Sequence, residues 1–181
     1  MLQTERLILR RPALEDFDRW AEMMGDATAA RFIGGMQPKP IVWRAIMQVA
    51  GAWQLTGVSM FSVIEKTSGR WVGRVGPWQP LGWPGTEVGW ALHPDAWGKG
   101  YALEAARASI DYAFDTFDWT EVVHCINPEN LPSQRVAQRL GSRVLRRATL
   151  PQPLDYEHVD VWGQTRDDWR QRRMARTMSG T

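Results

Sequence analysis

The chain has 181 residues, of which 44% are hydrophobic and 23% are charged. This length and composition suit one domain with a substantial buried core and exclude a disordered chain. Lys plus Arg number 22 against 20 Asp plus Glu, a net charge of only +2, which argues against a nucleic-acid partner although the sequence pI is near 9.0.

The sequence contains no feature that indicates an oxidising compartment or a membrane. Cys125 is the only cysteine, so no internal disulfide can form. No apolar run approaches the roughly 20 residues that span a bilayer, and the charged segment 5–11 lacks the apolar core of a signal peptide. The arginine-rich tail 166–176, interrupted by Asp167 and Asp168, predicts a solvated helical face. We therefore expect a cytoplasmic protein with no membrane partner.

The N-terminal half alternates between helical and strand periodicity. In chain order it predicts strand 4–11, helix 13–24, helix 41–55, strand 58–64 and strand 71–76, followed by loop 78–85. Pro12 ends the first strand, and Ser68-Gly69 supplies the turn between the last two. The meander from 58 to 92 predicts antiparallel pairing.

The C-terminal half predicts a strand–helix–strand unit and then a helix with two closing strands. The elements are strand 87–92, helix 99–117, strand 121–126, helix 131–140, strand 143–150 and strand 157–164. Gly141 follows the second helix as a C′ glycine would. The unit 87–126 implies a parallel strand pair joined by a right-handed crossover. Together the elements predict an α/β fold, a mixed sheet with helices packed on its faces.

Residues 87–102 carry the main functional signal. An apolar strand runs into a short loop with Gly98 and Gly100, and a helix-forming stretch follows at once. Glycines at such a junction let backbone N–H groups converge at the positive end of the helix dipole. The segment therefore predicts a phosphate-binding loop.

Two common nucleotide motifs do not match this loop. The P-loop pattern Gly-x-x-x-x-Gly-Lys followed by Ser or Thr does not occur in the chain. A dinucleotide fingerprint needs a third glycine where this chain has Leu103, and an acid after the next strand, which ends at Ile126-Asn127. Neither site type is predicted.

The loop instead resembles that of the GNAT acyltransferase superfamily, whose pattern is Gln or Arg, two residues, Gly, one residue, then Gly or Ala. Residues 97–102 read Trp-Gly-Lys-Gly-Tyr-Ala, with Trp in place of the usual first residue. The resemblance extends to Asn-Pro-Glu-Asn-Leu-Pro-Ser at 127–133, to the opening 4–10 and to the closing 159–169. It covers nearly the whole chain and is nearest to the branch with the ribosomal-protein N-terminal acetyltransferases (RimJ/RimL type).

This resemblance implies one domain over residues 1–181, with a mostly antiparallel sheet, one splayed parallel strand pair and helices on both faces. It implies that acetyl-CoA, with no metal, lies between strands 87–92 and 121–126. The residues implied to contact acetyl-CoA are Trp90, Ala91 and Leu92 for pantetheine, Trp97, Gly98, Lys99, Gly100, Tyr101 and Ala102 around the pyrophosphate, and Asn127, Asn130 and Ser133.

A base is useful because acetyl transfer needs a neutral amine, and a lysine-type amine has a pKa near 10.4. Glu87 is the first candidate, since the resemblance places acids beside the expected thioester; the alternative is a solvated carboxylate at the end of loop 78–85. His158 is the second candidate, whereas His93 and His124 are interpreted as structural.

The leaving thiolate needs little help, since thiols ionise near pKa 8.5. The tyrosine that many superfamily members use as the acid would fall at Ala137, so it is absent. In the ribosomal-protein branch an early helix serine is the usual proposal, and Ser133 matches it. The alternative is ordinary helix-start chemistry with Asn130 as N-cap, and both can hold together. Arg135 and Arg139 either meet the 3′-phosphate or are solvated.

The acceptor is not named by the sequence. By the resemblance, segment 25–57 and loop 78–85 shape the acceptor side, and their tryptophans (Trp43, Trp53, Trp78 and Trp83) either line it or pack in the core. A protein N-terminal amine, a polyamine or aminoglycoside, and an amino-acid-like metabolite all stay open. We predict an N-acetyltransferase acting on a primary amine by direct attack. The alternative is a non-catalytic acyl-CoA-binding module, and a homodimer is a family-level expectation.

Overall fold

The structure is a computed structural model that describes residues 1–179, with side chains to residue 175. In chain order the elements are β1 (Leu2–Gln3), β2 (Leu7–Arg10), α1 (Phe17–Gly25), α2 (Ala27–Ala30), α3 (Lys39–Leu55), β3 (Phe61–Glu65), β4 (Trp71–Trp78), β5 (Glu87–Leu92), α4 (Tyr101–Thr116), β6 (Glu121–Ile126), α5 (Leu131–Leu140), β7 (Arg143–Thr149), β8 (His158–Thr165) and α6 (Arg166–Ser179). Short 3₁₀ turns precede α1 and α4.

The strands form one eight-stranded sheet in the order β1-β2-β3-β4-β5-β6-β8-β7. Only β5 and β6 run parallel, and the other neighbours are antiparallel. The predicted mixed α/β sheet with flanking helices is therefore confirmed.

Each face of the sheet is covered by its own apolar cluster. On one face α1 and α3 pack against β3 and β4 through residues such as Trp20, Ile46 and Trp71. On the other, α4 packs through Ala106 and Ile110 against buried strand residues. This burial holds the central strands rigidly, which is what a site built on them requires.

The central parallel pair separates almost as soon as it forms. β5 and β6 share one register position, Glu87 opposite Val123. Just beyond it, the buried His124 ring lies between the two strands: its Nδ1 donates to the Val88 carbonyl (2.7 Å), and its Nε2 accepts from the Ser142 hydroxyl (3.0 Å). Burial lowers the pKa of His124 to about 4, so the ring is neutral at pH 7. His124 is thus a structural residue whose neutral ring lies between β5 and β6 where the two strands separate.

Among residues 1–179, no helix has both the length and the apolar character needed to cross a bilayer. Within the same residues, no group of three or more His, Cys, Asp and Glu side chains is arranged to hold a metal ion.

Candidate active site

The loop before α4 presents backbone donors that the protein does not use. Gly98 and Gly100 have φ values of +73° and +80°, a region that favours glycine, and Gly100 is the N-cap of α4. The amides of residues 98–102 donate to no other residue in the described part of the chain. Arg6 fixes the loop from outside, because its Nη1 donates to the Lys99 carbonyl (2.9 Å) and Glu104 pairs with its Nη2 (2.6 Å).

A groove of about 790 Å³ lies beside this loop, and four basic side chains line it together with the acidic Glu5, Glu104 and Asp111. Arg6, Lys99, Arg107 and Arg139 all line it, whereas Arg135 does not. The Arg107 Nε is buried and has no hydrogen-bond partner among residues 1–175, whose side chains the structure describes. Free amides, a helix N-terminus and an unpaired guanidinium nitrogen together suit phosphate groups.

Two aromatic residues of the predicted loop use their side chains structurally. The Tyr101 hydroxyl donates to Glu65 (2.6 Å), so only the backbone of Tyr101 can face a phosphate. The Trp97 indole Nε1 donates to the Leu92 carbonyl (2.9 Å) and closes the end of β5.

The strand separation leaves part of the β5 backbone free. His93 N donates to Val72 O on the β4 side (2.9 Å), so residues 89 and 91 also pair with β4, since alternate residues face alternate neighbours. Trp90 and Leu92 therefore face the gap. Ala91 contributes its methyl group to the cavity wall, not its backbone.

The start of α5 faces the same gap. Asn130 Oδ1 accepts from Ser133 N (3.2 Å), and Ser133 Oγ accepts from the Trp90 indole (3.2 Å). Asn127 is held by its own turn, with its Oδ1 accepting from Glu129 N (2.9 Å). Ala137 is fully buried, in a cluster against which Trp90 also packs.

A second cavity, of about 490 Å³, passes through the separation between β5 and β6. Its wall includes α3 residues from one face of the sheet, the start of α5 from the other, and residues 150–157 between β7 and β8. We call it the acceptor cavity, because segment 25–57 and loop 78–85, which the sequence resemblance places on the acceptor side, contribute to its wall. Trp78 and Trp83 line it, but Trp43 and Trp53 do not.

Glu87 is the buried carboxylate of the acceptor cavity, with only 6% of its surface exposed. Its Oε2 accepts from the Trp83 indole, and its Oε1 accepts from Cys125 N (3.2 Å). Burial raises the pKa of Glu87 to about 7, although these hydrogen bonds and Arg74 oppose the rise. Burial and Glu87 also raise the pKa of the Cys125 thiol, which is therefore protonated at pH 7.

The other candidate base lies elsewhere. The exposed His158 ring contacts the Thr149 hydroxyl (3.1 Å) and does not line the acceptor cavity. His93 sits between Asp95 (2.9 Å) and Glu22 (3.6 Å), which makes it structural, as expected.

Sequence reasoning missed Arg74 and Arg107. Arg74 lines the acceptor cavity together with Glu87. Its signal was present, because a lone arginine interrupts the otherwise apolar strand Trp-Val-Gly-Arg-Val-Gly. Arg107 lies on the predicted helix 99–117, beyond the loop, and no motif includes it.

Comparison with known proteins identifies the family of the chain. The Acetyltransferase (GNAT) domain family matches residues 6–143. The Bacillus licheniformis protein named "Uncharacterized N-acetyltransferase p20" is 32% identical over 144 residues, 77% of this chain and 80% of that one.

Solved structures share the fold. The acetyltransferase from Agrobacterium tumefaciens str. C58 is 30% identical with a TM-score of 0.80, over 91% of this chain and 94% of that one. The aminoglycoside acetyltransferase AAC(6′)-Ib, solved with coenzyme A, has a TM-score of 0.74 over 92% of this chain and 99% of its own, and at 18% identity it shows the fold alone. Because the family match spans most of the chain, this protein belongs to the GNAT acetyltransferases and is an acetyl-CoA-dependent acyltransferase.

Proposed function

We propose that this enzyme acetylates a primary amine by direct attack on acetyl-CoA, with Glu87 as the general base. The observation that carries the proposal is a buried carboxylate with a pKa near 7 on the wall of a cavity that enters the strand separation. A base with a pKa near the working pH combines adequate ionisation with adequate basicity.

The residues around the separation suit acetyl-CoA. The amides of residues 98–102 and the Arg107 guanidinium would hold its phosphates. The free backbone groups of Trp90 and the Leu92 amide would pair with pantetheine, since the Leu92 carbonyl already accepts from Trp97. Acetyl-CoA supplies the activated acetyl group. The enzyme's own contribution is to bind it, orient it and move protons.

Glu87 would accept the proton of the attacking amine. Its carboxylate is held in one orientation by Trp83 and by the Cys125 amide, which leaves little rotational freedom to lose at the reaction. Near pH 7 about half of the Glu87 side chains are ionised, since the pKa is about 7.

Ser133 would donate a proton to the departing sulfur. Its Oγ accepts from Trp90, and none of residues 1–179 accepts its hydroxyl hydrogen, which is therefore available to a ligand. The helix-start role holds at the same time, because only the backbone of Ser133 is used by the Asn130 cap.

We further propose one acetyltransferase domain over residues 1–181, within the RimJ/RimL-type branch. Support for one domain comes from β8, which lies between β6 and β7 and so ties the chain beyond residue 143 into the same sheet. Support for the branch comes from the opening segment 4–10, where Arg6 braces the phosphate loop.

The test combines ligand binding with turnover. We expect acetyl-CoA at about 100 times its Kd to stabilise the fold by about 2.7 kcal/mol in thermal unfolding. Free-thiol release should then depend on an added amine, with the acetylated amine identified by mass. Stabilisation without amine-dependent thiol release across a broad panel would favour the acyl-CoA-binding module instead.

A further inference from the structure

Two charged side chains project from the same face of the β4–β5 pair, and both line the acceptor cavity. In the β4–β5 register Trp78 faces Glu87, Gly76 faces Gly89, and Arg74 faces Ala91. Cross-strand neighbours project from the same sheet face, so Glu87 and Arg74 both lie on the cavity side. The two glycines between them carry no side chain, and Met60 packs over Gly89, where an added Cβ would lie 2.9 Å from the Met60 methyl carbon.

Arg74 lacks a strong partner of its own. Its Nη1 donates to the weakly accepting Met60 sulfur (3.0 Å), and its Nε is buried with no hydrogen-bond partner in residues 1–179. The guanidinium lies over the Trp20 ring, 5.4 Å from its centroid. Burial lowers the pKa of Arg74 to about 10, so it stays charged at pH 7. A buried, underpaired cation on a cavity wall is costly unless an anion joins it.

Other charged side chains line the same cavity. Arg44, on α3, lines it and makes no ion pair among residues 1–175, whose side chains the structure describes. Glu157 lines the wall formed by residues 150–157, near Asn127. The cavity wall therefore carries both carboxylates and guanidinium groups.

We infer that the acceptor is a small amino-acid-like zwitterion, with its amine at Glu87 and its carboxylate at Arg74. The inference rests on the proposed function and narrows it. A carboxylate matches the fork of a guanidinium and supplies the acceptors that Arg74 lacks. A polyamine or aminoglycoside would bring a second cation against Arg74, and a peptide N-terminus would bring a neutral amide. About 490 Å³ suits a small molecule.

The decisive comparison uses acceptors that differ only in the carboxylate. Each proteinogenic amino acid is assayed beside its amide and its decarboxylated amine, together with spermidine, an aminoglycoside and short peptides. We expect at least one amino acid to exceed its amide and its amine in kcat/KM by about 10- to 100-fold, the range for a charged hydrogen-bonded contact. Amine basicity cannot produce this result, because the amide has the less basic amine and so more neutral nucleophile.

Two results would overturn the inference. One is turnover of amides, amines, polyamines or peptides with no advantage for any carboxylate-bearing acceptor. The other is an unchanged selectivity ratio in Arg74→Gln. If no amine in the whole panel releases thiol, the proposed function itself fails, which is a different outcome.

Arg74→Gln assigns the preference to one residue. We expect the ratio of kcat/KM for the amino acid over its amide to fall about 10- to 100-fold, mainly through KM, with Arg74→Lys retaining part of it. Arg147→Gln, at an 86% exposed guanidinium outside the cavity, should leave the ratio unchanged. A purely structural role would lower both acceptors equally. Acetyl-CoA-dependent thermal stabilisation checks that each variant is folded. If a variant does not fold, the ratio of kcat/KM for the amino acid over its amide in wild type still tests the inference.

Discussion

The phosphate groove and the acceptor cavity are built from different materials. The groove depends on backbone amides of one continuous segment, residues 98–102, placed by two glycines and a helix start. The acceptor cavity depends on side chains, and its charged groups Glu87, Arg74, Arg44 and Glu157 come from four separate elements or loops. In the proposed function the backbone amides bind the phosphates of acetyl-CoA, the substrate that GNAT acetyltransferases share. The side chains bind the acceptor, which varies among these enzymes.

The phosphate groove and the acceptor cavity also differ in how much they lower the free energy of unfolding. The amides of the groove are solvated until a ligand arrives, so they cost the fold little. The acceptor cavity keeps a carboxylate and a guanidinium buried, and burial shifts the pKa of both toward the neutral form. Function therefore costs stability mainly on the acceptor side.

Glu87→Gln should give the largest loss and should confine it to chemistry. Removing a general base lowers rates by about 100- to 10,000-fold, and glutamine keeps the shape and the Cys125 contact. We expect kcat to fall in this range while the Kd for acetyl-CoA, measured by calorimetry, changes less than about twofold. A weakened Kd with intact kcat would mean that the two regions are not separable.

The pH dependence of this loss is the control. As pH falls through about 7, the Glu87 base is protonated and lost. The wild-type to Glu87→Gln ratio of kcat/KM should therefore rise about 10-fold from pH 6 to 8, and titration of the amine cancels in that ratio. A flat ratio would exclude Glu87 as the base.

The stability of the same variant tests the stored free energy. The pKa of Glu87 is raised from 4.5 to about 7, so the folded state holds a proton that the unfolded state releases between these values, and wild type loses stability as pH rises. The loss is about 3 kcal/mol. We expect Glu87→Gln to gain on wild type by up to that amount between pH 5 and 8 in urea unfolding. Glu15→Gln, at a 75% exposed carboxylate, should show no such trend.

Sequence periodicity predicted the central elements with their observed bounds. β5, β6 and α5 agree residue for residue, because loop residues bound them sharply and their neighbours bury them. α2 was missed, since four residues are too few to show a helical period and its start depends on the Asp26 cap.

Local signals also misplaced several element boundaries, and the structure explains two of them in physical terms. β4 continues through Pro77, where the sequence predicted an end at 76 and a loop from 78. Proline is tolerated there because β3 pairs with β4 only as far as Val75, so no ladder bond is lost. α4 begins at Tyr101 and not at 99, because Gly98 and Gly100 have positive φ.

The sequence predicted the phosphate groove better than the acceptor cavity. Residues 97–102 are contiguous, so a motif could point to them. The partners of Glu87 could not be read, because Trp83 and Cys125 reach it only through the loop geometry and the β5–β6 pairing. A lone arginine in an apolar strand marks Arg74 as unusual, but its place beside Glu87 follows only from the β4–β5 register, which no local pattern contains.

Arg107→Gln should weaken the phosphate groove without touching the acceptor cavity. Its Nε is buried and unpaired in residues 1–179, so a phosphate oxygen would be its natural partner. We expect the Kd for acetyl-CoA to rise about 10-fold, with acceptor selectivity unchanged. Arg31→Gln, at a 61% exposed guanidinium on neither wall, is the control. A changed acceptor preference would show that the two regions are coupled.

Ser133→Ala should have the smallest effect, and its size decides what the hydroxyl does. A thiolate is a good leaving group, so loss of a proton donor should lower kcat by about 10-fold or less, well below the 100- to 10,000-fold expected of a general base. The acetyl-CoA Kd should stay constant, because the Asn130 cap uses only the Ser133 amide. Ser133→Thr keeps the hydroxyl and should restore kcat. If instead the Kd rises in Ser133→Ala while kcat stays constant, the contact with the Trp90 indole, and not proton donation, is the role of Ser133.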